Sequence, residues 1–163
     1  MAAKLVQISV KPKTPGESGL PKQAVDRVKV TKHGVGNDYN NYRMEEKNGT
    51  DNRAILLYTT DMRDQLNQEG WPLQNGDLGE NFMIDGIRYD QLKVDTQLQI
   101  GNIKVQITEI CNPCSNLRFL DYVGKEKVQE FIKTMKGRRG WYAKVLNEGT
   151  VHQEDTVQLL SRS

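Results

Sequence analysis

The chain has 163 residues, 36% apolar and 27% charged, which suits one globular domain with a single substantial core. Its 23 basic and 21 acidic residues leave a net charge of +2, and with no RNP-like aromatic motif, zinc-finger spacing or basic block, nothing demands nucleic acid or an anionic membrane as partner. No stretch nears the roughly 18 apolar residues of a membrane span, the N-terminus carries no secretory leader, and two cysteines without an export signal point to a cytoplasmic protein lacking a structural disulfide.

Residues 5–10 (LVQISV) read as a short mixed strand, and residues 11–23, with three of the five prolines, as an extended loop. Val25 to Val30 alternates as a second strand. Gly, Asn and Asp crowd residues 33–52, so little regular structure is expected there. Loops of that length are usually functional or unusually free to move. Arg53 to Tyr58 is a buried-strand candidate, after which Thr60 is placed to cap a helix through Gln68, with Met62 and Leu66 inside and Gly70 closing it. Gly76 to Met83 reads as a turn and strand, while Asp85-Gly86 and Gly101-Asn102 are hairpin signals. Ile103 to Ile110 alternates and runs into the polar loop that holds Cys111 and Cys114. Val128, Phe131, Ile132 and Met135 share one stripe of a helix expected over residues 123–135. Trp141 to Leu146 and Thr156 to Leu160 end the chain as strands. Strands outnumber helices and no βαβαβ alternation appears. The expected fold class is mainly β (α+β): a closed or nearly closed antiparallel barrel with a few peripheral helices, residues 1–163 forming one domain.

Cys114 is the leading functional candidate. It follows a strand in a loop opened by Pro113, where a thiol is placed for chemistry or metal ligation rather than for packing. Its thiolate is the reactive form, so nearby positive charge matters. Cys111 completes a C-x-x-C pattern but lacks the βαβ setting of a thiol–disulfide exchanger, which favours strand-end packing over a redox partnership with Cys114. His33 and His152 lack the paired spacing of a zinc site.

Four segments resemble the MOSC domain, the module at the C-terminus of molybdenum cofactor sulfurases and in free-standing bacterial proteins. They are Gly34 to Arg43 (GVGNDYNNYR), Gly76 to Phe82 (GDLGENF), Asn112 to Leu117 (NPCSNL) and Gly137 to Tyr142 (GRRGWY). The chain departs at Asn37, where the family would place glycine before Asp38. Asparagine tolerates a left-handed backbone better than other non-glycine residues.

The resemblance implies a MOSC-type barrel and a molybdenum cofactor of molybdopterin type. It maps the functional cysteine onto Cys114, as metal ligand or as persulfide carrier. It implies two activities: molybdenum-dependent reduction of N-hydroxylated compounds, which would make the chain an oxidoreductase, or sulfur transfer by a cofactor-binding module without turnover of its own. A thiol–disulfide oxidoreductase using Cys111 and Cys114 is a third reading. The chain carries no flavin, iron–sulfur or pyridoxal-phosphate motif, so a small-molecule substrate would be served by a separate electron-donor or sulfur-donor protein. The oligomeric state is not legible.

On this view Asp77, Gly79, Glu80 and Asn81 offer donors and acceptors for the pterin edge. They equally suit a structural turn, with Asp77 capping local N–H groups, both glycines at positive φ and Glu80 paired with an arginine. Arg138 and Arg139, between glycines, could hold the cofactor phosphate or simply end a helix in solvent. Arg53 is a comparable anion-binding candidate or the partner of a nearby acid. His33 is a candidate general acid or a solvent-exposed loop residue. Trp141 and Trp71 read as packing residues.

Overall fold

A computed structural model describes residues 2–11, 20–36 and 50–160. In chain order the strands are β1 (Ala3–Val10), β2 (Gln23–Val25), β3 (Arg27–Thr31), β4 (Gly34–Val35), β5 (Ile55–Thr59), β6 (Phe82–Asp85), β7 (Gln97–Ile100), β8 (Ile103–Ile110), β9 (Trp141–Asn147), β10 (Gly149–His152) and β11 (Thr156–Leu159). Two α-helices join them, α1 (Thr60–Gln68) and α2 (Gly124–Met135), with short 3-10 turns at Thr50–Arg53, Tyr89–Gln91 and Ser115–Phe119.

The main sheet runs β11-β7-β8-β9-β5-β6-β1, and β1 pairs back onto β11, closing a barrel. Strand β2 continues β1 at its far end, pairing Ile8 with Val25. The remaining strands, β10, β3 and β4, form a separate small sheet whose Val30, Val35 and Val151 join the apolar cluster of the barrel interior. The pairing is antiparallel throughout the barrel except for β5 beside β6, which are parallel. A crossover through α1 makes that pair possible.

Residue chemistry explains which way each strand faces. Strand β8 alternates Ile103, Val105 and Ile107 inward with half-buried polar residues outward, as a strand covered on one face requires. Strand β5 (ILLYT) is buried along its whole length because it has two faces to fill. Ile55 and Leu57 point into the barrel, and Tyr58 enters a second cluster outside it with Met83, Phe131 and Leu117. Strand β1 breaks strict alternation: Leu5 and Ile8, three positions apart, both lie in the barrel interior. A register shift between Leu5 and Gln7 against β6 resets the parity, which is what a bulge does.

Helix α2 places Val128, Phe131 and Met135 on the outer cluster, as the stripe predicts. Several boundaries differ from expectation. Thr59, with extended φ −128° and ψ 150°, precedes α1, while the Thr60 hydroxyl donates to Asp85. Arg53 closes a 3-10 turn instead of opening β5. Asp85-Gly86 is not a hairpin: β6 pairs with β1 and β5, and the chain passes through the turn at Tyr89–Gln91 before β7. Barrel closure takes both edges of β6, leaving none for β7. Gly101-Asn102 does form a hairpin, with Ile100 opposite Ile103. Strand β10 was not foreseen in the turn-rich run after β9. The stretch 33–52 holds β4 and the turn at Thr50–Arg53, and Asn37 with most of the Gly34-to-Arg43 segment lies outside the described residues. No described helix is long and apolar enough to cross a membrane.

Candidate functional site

The site grows from the common end of β8 and β9. Their register pairs Ile110 with Trp141, and one further bond, from Cys111 N–H to the Gly140 carbonyl at 2.9 Å, carries the ladder beyond the strands. That places Asn112 opposite Arg139. Arg139 donates from one terminal nitrogen to the Asn112 carbonyl at 3.4 Å and to the Cys114 sulfur at 3.2 Å, and from the other to the Leu78 carbonyl at 3.3 Å. Cys114 is exposed, whereas Arg139 is only 8% exposed.

Two buried tyrosines set the backbone that aims Arg139. The Tyr58 hydroxyl donates to the Arg138 carbonyl at 2.7 Å, and Gly140 N–H donates to the Tyr89 hydroxyl at 3.0 Å. Their rings meet edge to face, 5.7 Å between centroids. Cys114 is held from its other side by the 3-10 turn Ser115–Phe119: Leu117 N–H donates to the Cys114 carbonyl at 3.1 Å, and the Leu117 side chain is fully buried.

The electrostatics centre on one buried cation. Burial acts against the Arg139 guanidinium, yet the charges of Cys111 and Cys114 hold its pKa above the ordinary value. No carboxylate among the described residues bonds it, and its Nε–H is buried with no acceptor. A buried N–H in that condition calls for an acceptor supplied by a water or a guest. Burial pushes the Cys111 thiol up, an effect Arg139 partly offsets. Tyr142 interacts with the Cys111 sulfur, and burial first, then Cys111, raises its phenol. Arg53 pairs with Glu109 and lies over the Tyr142 ring, 5.4 Å from its centroid. Cysteine, tyrosine and arginine thus form a continuous patch from Cys114 to Arg53.

The two arginines expected in a flexible cationic loop are separated by the structure. Arg138 points to α1, where it donates to Glu69 at 3.1 Å and to the Thr134 carbonyl at 3.1 Å; Arg139 turns inward to the sulfur. Neither is a freely solvated helix end.

The Gly76-to-Phe82 segment is committed to the fold. Glu80, expected to pair with an arginine, instead accepts from Gly76 N–H at 2.6 Å and Leu78 N–H at 3.2 Å. Burial pushes its carboxyl up to about 7 against those bonds. Asn81 accepts from Leu56 N–H at 3.0 Å and donates to the Ser9 carbonyl at 3.2 Å, stitching β5 to β1. Asp77 accepts from Gln74 N–H at 3.0 Å and from the Tyr122 hydroxyl at 2.9 Å, and burial raises its pKa. Gly76 and Gly79 both adopt positive φ, 92° and 83°. A side chain on Gly76 would also meet the Lys22 carbonyl oxygen at 2.6 Å. This segment meets the site at the Leu78 carbonyl, which Arg139 grips.

His33 stands exposed with its Nδ1 3.0 Å from Asp51, and nothing among the described residues joins it to Cys114. Cys111, only 2% exposed, is a packing residue as expected. Residues 111–114 form no hydrogen-bonded turn of the kind that closes a C-x-x-C pair. Sequence reasoning missed Tyr58, Tyr89 and Tyr142. Tyr142 alone was within reach, since it closes the Gly137-to-Tyr142 motif segment; its place beside Cys111 follows from the β8–β9 pairing.

Among the described residues no group of three His, Cys, Asp or Glu side chains could hold a metal ion. A metal at Cys114 would therefore bring most of its ligands with it.

Comparison with known proteins agrees with the barrel fold. A family model described as the MOSC domain matches residues 44–158. The uncharacterized protein YflK of Bacillus subtilis (strain 168) is 31% identical over 91 residues, 56% of this chain and 40% of YflK, so the match spans less than half of that relative. Among solved structures, YuaD from Bacillus subtilis superimposes with a TM-score of 0.78 at 16% identity, covering 100% of this chain and 98% of YuaD. YiiM from Geobacillus stearothermophilus gives 0.73 at 24% identity, covering 98% of this chain and 75% of YiiM. At such identities the two structures speak for the fold alone.

Proposed function

The chain belongs to the MOSC domain family, and on that premise we propose that it binds a molybdenum cofactor through the Cys114 sulfur and supports reduction of N-hydroxylated compounds. The observation that carries the reading is an exposed thiol bonded by a buried guanidinium with no carboxylate partner. A thiolate is a soft donor suited to a metal otherwise ligated by dithiolene sulfurs. When bound, the cofactor would supply the two-electron chemistry that cleaves an N–O bond. The protein's part is to present the sulfur and balance its charge. Cys114 would be the metal ligand, kept in place by the Leu117 anchor behind it and by Arg139 beside it. A small-molecule substrate would approach from the exposed side of Cys114, and a separate protein would deliver electrons.

Asp77, Gly79, Glu80 and Asn81 act in this reading by shaping the wall that carries the Leu78 carbonyl, not by touching the pterin with their side chains. Arg53, stacked on Tyr142, belongs to the patch that runs to Cys114, whereas Arg138, paired with Glu69, is turned to α1.

The test is co-expression with cofactor biosynthesis, followed by elemental analysis of wild type and Cys114→Ser. Wild type should retain molybdenum in proportion to protein and the variant very little; equal metal in both overturns the ligand role.

The same exposed sulfur beside a guanidinium also suits a persulfide anion, which supports a sulfur carrier as the second reading. Mass spectrometry of protein isolated without reductant would then find about 32 Da added at Cys114, lost on treatment with a thiol. An unmodified Cys114 counts against it.

A further inference from the structure

We propose that Arg139 makes Cys114 an anion-selective site, so that whatever seats on this sulfur arrives as an anion and lies against the guanidinium. This deepens the reading of Cys114 as the working sulfur, and rests on it.

The inference starts from an imbalance. A guanidinium withdrawn from water needs compensating charge, and breaking such compensation is costly. Arg139 is 8% exposed and its bonded neighbours are two carbonyl oxygens, Asn112 and Leu78, and the Cys114 sulfur. The adjacent Arg138 has Glu69, and Arg53 has Glu109. Arg139 alone of the three is bonded by no carboxylate among the described residues. Its Nε–H, on a different nitrogen from the one touching Cys114, is buried without an acceptor.

The fold does not leave this arrangement to chance. Tyr58 and Tyr89 bond the backbone on either side of Arg139, and the β8–β9 ladder fixes Asn112 across from it. A planar fork held this way recognises oxygen or sulfur anions directionally, which a flexible surface lysine would not. The ligand class is therefore an anion able to reach sulfur, such as the metal centre of an anionic cofactor. Arg139 is a positioning residue in this scheme, acting on the guest and the sulfur together. It is distinct from the phosphate clamp expected of adjacent arginines.

Metal-free protein tests the proposal without presuming any cofactor. Cys114 is alkylated at one pH with iodoacetate, an anion, and with iodoacetamide, its neutral analogue, and mass spectrometry assigns the product to Cys114. The ratio of the two rate constants cancels the fraction of thiolate and, set against a reference cysteine, reports the local field. A peptide of residues 112–117 carries the same cysteine without Arg139 and serves as reference. Wild type should exceed the peptide's ratio by about threefold or more, as a fixed positive charge beside the sulfur enriches counter-ions. Arg139→Gln should lose that excess and Arg139→Lys should keep part of it. A wild-type ratio equal to the peptide's overturns the proposal, even if the variants fail to fold. An excess that survives in folded Arg139→Gln overturns the assignment to this residue. Failure of molybdenum retention in the loaded protein would leave these ratios untouched, so the two readings fail separately.

Discussion

Two polar segments meet at the Leu78 carbonyl and behave in opposite ways. In residues 76–82 nearly every polar group is used up internally: Glu80 on two backbone N–H groups, Asn81 on Leu56 and Ser9, Asp77 on Gln74 and Tyr122. Residues 111–114 and 138–140, by contrast, leave a sulfur exposed and a buried N–H without an acceptor. Both segments look like binding motifs because both concentrate glycine with acids, amides or arginines. The difference is whether the fold itself consumes the hydrogen-bonding capacity. Where it does, the motif builds a wall; where it does not, the motif awaits a guest.

The sharpest break of this contrast comes at Asn81. Asn81→Ala leaves Leu56 N–H and the Ser9 carbonyl buried without a partner, and should cost about 2–4 kcal/mol in urea denaturation. The iodoacetate-to-iodoacetamide ratio at Cys114 should persist in the folded fraction. A ratio that collapses instead would move Asn81 from wall to site.

Glu80 gives a smaller effect, visible in its pH dependence. Its folded pKa stands at about 7 against an ordinary 4.5, so between those values the folded protein binds more protons than the unfolded chain. Stability should then fall as pH rises through that window, by roughly a few degrees in Tm between pH 5 and pH 8. Glu80→Gln should be less stable overall, because its amide keeps one acceptor oxygen where Glu80 uses two, but its slope should be flatter. An equally steep slope in the variant would assign the pH dependence elsewhere, with Asp77 the next candidate.

Tyr89→Phe removes the acceptor for Gly140 N–H and should cost about 1 kcal/mol. It should also lower the alkylation ratio partway toward that of Arg139→Gln, since Arg139 loses a restraint. Arg138→Ala should do least. Its pair with Glu69 is partly solvated, so about 0–1 kcal/mol is expected, with the ratio at Cys114 unchanged. Measuring both arginines side by side separates a surface ion pair from a site charge.

The fold was legible wherever one residue's neighbours along the chain decide its environment. The alternation of Ile103, Val105 and Ile107 predicted a barrel strand, the stripe of Val128, Phe131 and Met135 predicted α2, and Gly101-Asn102 predicted the hairpin into β8. The Asp85-Gly86 hairpin failed because a turn-favouring dipeptide says nothing about which strand holds the free edge. The bulge at Leu5–Gln7 was hidden for the same reason: parity is reset by the partner strand. At the site, Cys114 stood out as a loop thiol after a strand, and the four motif segments pointed to the family.

Residue order alone therefore determined the barrel class, the family and the exposed sulfur, because these follow from local periodicity and from short motifs. Only the tertiary structure could turn Arg138 toward Glu69 and Arg139 toward Cys114, since adjacent side chains diverge according to a backbone pinned by Tyr58 and Tyr89 from distant strands and turns. Charge composition cannot tell which of two neighbouring arginines is buried beside a thiol. That choice belongs to long-range packing.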